Sequence, residues 1–64
     1  MNLKDELEEI LIVLKGEWND HCFYVGRDYR EEALNMKHYK GFPVHYHPLV
    51  EDDMIHFAPE QNWN

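Results

Sequence analysis

The 64-residue chain has no serine and no threonine. A hydroxyl nucleophile of the Ser–His–Asp kind is therefore excluded. A single cysteine, Cys22, rules out both an intramolecular disulfide and a cysteine-rich zinc site. His21 precedes it, but adjacent strand residues point to opposite faces, so His21 is poorly placed to activate the thiol. Cys22 is expected to be buried and inert. The three glycines stand apart at 16, 26 and 41, so there is no phosphate-cradling loop. Six basic residues against 13 acidic ones give a net charge of −7. Direct nucleic-acid binding needs clustered Lys and Arg, and no such cluster is present. No stretch of 18 apolar residues occurs; the longest run is Ile10 to Leu14. No basic-then-apolar signal opens the chain. The expectation is no membrane association and, with no disulfide to staple a small core, a reducing cytoplasm.

What is present is enough for one compact core, since hydrophobic residues make up 44% of the chain and aromatics 14%. A domain of this size buries only about 60% of its unfolded surface, so its stability is marginal. It has little room for a self-walled pocket of roughly 300–1,000 Å³. No catalytic activity and no cofactor are expected. A purely structural domain is the plainest alternative to any functional reading.

Asn2 is a good N-cap, and Leu3, Leu7, Ile10, Leu11 and Leu14 recur at spacings of three and four. With acids in the first turns, Lys15 near the end and Gly16 as a stop, this pattern predicts a helix over 3–16. Ile12 and Val13 fall outside the buried stripe. Residues 21–26 read as a strand apolar on both faces, which suits a central position. Asp28 and Glu31 have the spacing of a capping box, predicting a short helix over 28–37 with Tyr29, Ala33 and Met36 on its inner face. Lys40-Gly41 reads as the following turn. Residues 42–47 and 53–58 alternate as strands, and the loop between them suits a hairpin. Pro43 belongs on an edge or near a strand start.

Together these predict an α+β fold. The N-terminal helix packs on a small, mainly antiparallel sheet of about three strands, covering Phe42, Val44, Tyr46, Ile55 and Phe57. Residues 1–58 form the domain and 59–64 a polar tail in which Trp63 either docks on the core or anchors a partner.

Two constellations bear on function. Asp5, Glu6, Glu8 and Glu9 open the first helix, and Glu51, Asp52 and Asp53 cluster in the loop before the last strand. With Ile12, Val13 and Trp63 as apolar positions a short chain struggles to bury, they point to a protein-interaction module for a basic partner, or to a homo-oligomer. Glu6, Glu9, Ile12, Val13, Glu51, Asp52, Asp53 and Trp63 are the candidate contact residues. In size and charge alone, the chain is analogous to small acidic bacteriophage proteins that inhibit nucleic-acid-handling enzymes. Second, His45 and His47 share a strand face, with His56 across the expected hairpin. This is an alternative site for zinc or another transition metal, to which His21 or Cys22 contributes only if the first strand neighbours that face. The same three histidines, if close together, would repel one another once protonated and make stability pH-sensitive.

Overall fold

The computed structural model describes residues 2–60. Helix α1 spans Leu3–Val13, and the Asn2 side-chain oxygen accepts from the Asp5 backbone N–H at 3.0 Å, as the sequence predicts. The helix ends sooner than expected, with Leu14 already leaving helical geometry. Trp18 accounts for the early stop in part. Its indole N–H donates to the Leu14 carbonyl at 3.4 Å, satisfying one of the acceptors a helix C-terminus leaves open.

Strand β1 (His21–Val25) is an inner strand of a mixed four-stranded sheet ordered β2 (His38–Tyr39), β3 (Phe42–Tyr46), β1 and β4 (Ile55–Pro59). Its partners are β3, which runs parallel to it, and β4, which runs antiparallel. The hairpin expected between 42–47 and 53–58 therefore does not form, because β1 lies between the two strands. The physical reason is burial. Cys22, Phe23, Tyr24 and Val25 are all buried, so their backbone groups need partners on both sides, and only an inner position supplies them.

A parallel pair needs a crossover of a dozen or more residues. The segment between β1 and β3 supplies it with a 3-10 turn (Arg27–Tyr29), helix α2 (Arg30–Met36) and the two-residue strand β2 (His38–Tyr39). The predicted capping box is not used. Asp28 lies inside the 3-10 turn, α2 has no side-chain cap, and the Asp28 backbone N–H instead donates to the Asp52 carbonyl at 2.9 Å. The inner face is as expected: Ala33 is buried, Tyr29 and Met36 are half-buried, and Leu34 is exposed. β2 pairs antiparallel with β3, with Tyr39 opposite Phe42. Lys40 (φ 50°) and Gly41 (φ 86°) make the two-residue connection. Positive φ at both positions is the hairpin turn whose twist matches the strands it joins.

The core lies between the helices and one sheet face. Leu3 and Leu7 of α1 and Ala33 of α2 close over Phe23, Val25, Val44 and Tyr39. Phe42, Tyr46, Ile55 and Phe57 pack around them, so the residues assigned to the covered face by alternation do lie there. Polar contacts fix α1 at its rim. The Leu3 backbone N–H donates to Glu32 at 2.7 Å, and the Tyr39 hydroxyl donates to Glu8 at 2.5 Å. Lys40 lies 3.5 Å from the same Glu8 carboxylate.

This last cluster predicts a pH dependence. The hydrogen bond from Tyr39, then Lys40, holds Glu8 below the ordinary carboxyl value, and the same bond pushes Tyr39 up to about 12. A raised tyrosine pKa means that the folded state keeps a proton the unfolded chain has lost. Its contribution is complete below pH 10 and disappears as pH rises through about 12. The Glu8 contribution has the opposite sense: present above pH 4.5 and lost as pH falls. Tyr39→Phe is expected to shrink the fall in urea midpoint between pH 10 and pH 12. Some fall remains, because burial and nearby acids also raise Tyr29. Equal losses in the two proteins would show that the Tyr39–Glu8 bond does not set the alkaline limit.

Candidate functional site

The outer side of α1 is the first candidate surface. Ile12 and Val13 are 64% and 73% exposed, so the domain does not wrap this turn. Beside them runs a shallow groove lined by Glu6, Glu9, Ile10, Val13 and Leu14. Its surface is almost wholly apolar, and Glu6 and Glu9 stand among the residues that border it. The arrangement follows from helical spacing: Glu6, Ile10 and Val13 succeed one another at i, i+4 and i+7, and Glu9 lies one turn before Val13.

One acid from each of the two sequence-distant acidic clusters, Glu6 and Asp53, acts on the same Tyr29 hydroxyl. Burial raises the Tyr29 hydroxyl first, and the charges of Glu6, Asp28, Asp53 and Glu32 add to it. The first helix, the crossover and the β3–β4 loop thus share one negative field. Within that loop, Glu51 and Asp52 are also structural. Glu51 lies 3.6 Å from His56 and Asp52 4.0 Å from Arg27, and the Asp52 backbone carbonyl accepts from Asp28. Trp63 lies outside the described residues.

The second candidate surface is the sheet face turned away from the helices. Register places Tyr24 opposite both His45 on β3 and His56 on β4. His45 and His56 are therefore separated by a whole strand, about 10 Å between backbones. They do not sit across a hairpin. His47 follows β3; its Nδ1 accepts from the Leu49 N–H at 3.1 Å, and its ring meets the Tyr24 ring edge-on. Each of the two has a carboxylate beside it, Glu60 3.4 Å from His45 and Glu51 3.6 Å from His56.

No family model, curated protein or solved structure matches this chain. The site must be read from its own chemistry.

Among the described residues, one group can offer three ligand atoms to a metal ion: Cys22, His45 and Glu60. Cys22 Sγ, a His45 ring nitrogen and a Glu60 carboxylate oxygen lie within 4.8 Å of one another. Cys22 is wholly buried, as its sequence context predicts, and its thiol is pushed up by burial, with Glu60 adding to the shift. The Tyr24 hydroxyl hydrogen-bonds the thiol and acts the other way. Sequence reading tied Cys22 to a ligand set only if β1 neighboured the histidine strands, and β1 does. Glu60 escaped notice because it follows the last alternating run. The signal was the pairing that extends β4 to Pro59 and ends with the Glu60 N–H donating to Asp20 at 2.6 Å.

Proposed function

We propose that the protein is a non-catalytic interaction module that engages a basic, apolar segment of another protein along the outer side of α1. The observation that carries this reading is the groove: Ile10, Val13 and Leu14 line an apolar surface, Glu6 and Glu9 border it, and Ile12 is exposed alongside. Large exposed aliphatics on a short helix weaken solubility unless something covers them. The occupant is identified by charge. Two copies meeting through this groove would set Glu6 and Glu9 of one against those of the other, whereas Lys or Arg beside apolar side chains would complement both features. The negative field around Tyr29 extends the attraction and speeds encounter. No helix of the described chain is long and apolar enough to cross a membrane. The lone free cysteine fits a reducing compartment, and we place the protein in the cytoplasm.

The test uses native-cell capture with the wild-type chain and with a Glu9→Lys/Val13→Lys variant as parallel baits. A partner recovered by the first and lost by the second is expected. For the purified pair, Glu6→Gln and Glu9→Gln should slow association and flatten its salt dependence. A complex unaffected by both salt and substitution overturns the reading. So does a concentration-dependent dimer in sedimentation that Val13→Lys abolishes, which would assign the groove to a second copy.

A further inference from the structure

We propose that Cys22, His45 and Glu60 form a binding site for a divalent first-row transition metal, zinc in class, on the open face of the sheet. The site lies on the far side of the sheet from the α1 groove and does not depend on the interaction reading.

Three adjacent parts of the sheet supply the ligands. Cys22 is on the central strand β1, His45 on its parallel neighbour β3, and Glu60 directly follows the antiparallel neighbour β4. The Glu60 backbone is pinned beside the start of β1 through Asp20, so its carboxylate is held near Cys22 by main-chain pairing. The ligand atoms of a tetrahedral zinc site stand about 3.3–3.6 Å apart, given metal–ligand bonds of about 2.0–2.3 Å. His45 Nε2 and Glu60 Oε2 are already 3.4 Å apart, and all three atoms lie within 4.8 Å of one another. Closing the remaining gap needs side-chain adjustment, with no change of strand register.

The donor set also selects the ion. A thiolate, an imidazole and a carboxylate suit zinc or cobalt and are wrong for calcium or magnesium, which take oxygen ligands. The thiolate and carboxylate together neutralise a divalent ion. Without one, a buried thiol beside a carboxylate is an unfavourable place for negative charge. His45 and Glu60 are about half exposed, with side-chain accessibilities of 49% and 54%, so the fourth position opens to water.

Cobalt(II) titration of the reduced full-length chain tests this. One ion per chain is expected, with a thiolate-to-cobalt charge-transfer absorption that zinc displaces, and zinc should raise the melting temperature. Glu60→Gln and His45→Gln, both at exposed positions, should weaken cobalt binding by more than the roughly 10–100-fold lost when a group that merely orients a ligand is removed. Cys22→Ala should abolish the absorption. Should that variant not fold, the two exposed-residue variants carry the test. His56→Ala should bind as the wild type does. A folded wild-type chain showing no charge-transfer band at saturating cobalt overturns the proposal. So does binding that survives Glu60→Gln and His45→Gln unchanged.

Discussion

Gly26→Ala is expected to be among the most destabilising single substitutions in this chain. An added methyl group would stand 1.8 Å from the Glu51 carbonyl oxygen and 2.7 Å from the carbonyl carbon and oxygen of Asp52. All three atoms are backbone, so no side chain can swing aside. The loop that carries them is fixed where it passes Gly26. Its Asp52 carbonyl accepts from Asp28, its Met54 N–H donates to Glu51, and its Met54 carbonyl accepts from Gly26 itself. Making room therefore breaks hydrogen bonds that close the crossover against the β3–β4 loop. Ordinary overpacking costs about 1–3 kcal/mol. A clash with tethered backbone belongs at or beyond the upper end of that range. A domain this small has total stability of about 3–10 kcal/mol, from roughly 0.05–0.15 kcal/mol per residue. A loss of about 3 kcal/mol lowers the melting temperature by roughly 12–24 °C. Thermal unfolding followed by circular dichroism checks this. A melting temperature within a few degrees of wild type would mean that the loop lifts off without cost.

Phe23→Ala is the second large effect, with an expected loss of about 3–5 kcal/mol in urea denaturation. Phe23 is wholly buried on the central strand, and its ring lies 4.8 Å from Phe57 and 6.0 Å from Phe42. Removing it takes away a ring that touches aromatic partners on both neighbouring strands. The backbone of β1 is paired on both sides, so the strand cannot collapse into the hole, and the cavity cost remains. Ile12→Ala provides the contrast. Its side chain is 64% exposed, and its loss should change stability by no more than about 0.5 kcal/mol. A costly Ile12→Ala would place that residue in the core and remove it from the candidate interface.

Helical and strand periodicity read the local structure well. Asn2 caps the first helix, Tyr29, Ala33 and Met36 share the inner side of the crossover, and Lys40-Gly41 turns the chain as expected. These features depend on neighbours within a few residues, where propensity and spacing act directly. Asp28 shows the limit. Its capping pattern was sound, but its backbone N–H found a stronger claim in Asp52, 24 positions away along the chain.

The candidate sites were legible only in pieces. Glu6, Glu9, Ile12 and Val13 were recognisable as residues at odds with a simple buried stripe, and the fold leaves Ile12 and Val13 uncovered. The histidines were visible as a set, but the pairing of His56 with His45 and His47 across a hairpin was not realised.

From its sequence alone, this chain was determined to be a small α+β domain with an N-terminal helix on a sheet, and alternation assigned the inward faces of β3 and β4, while β1, apolar on both faces, was left open and β2 was not foreseen. Tertiary structure alone decided that β1 runs between β3 and β4, and with it that Cys22, His45 and Glu60 meet. The reason is that hydrogen bonds along a strand edge join backbone groups common to every residue. Side chains choose which strand can bear burial on both faces, and that choice is settled only when all the strands compete for the centre.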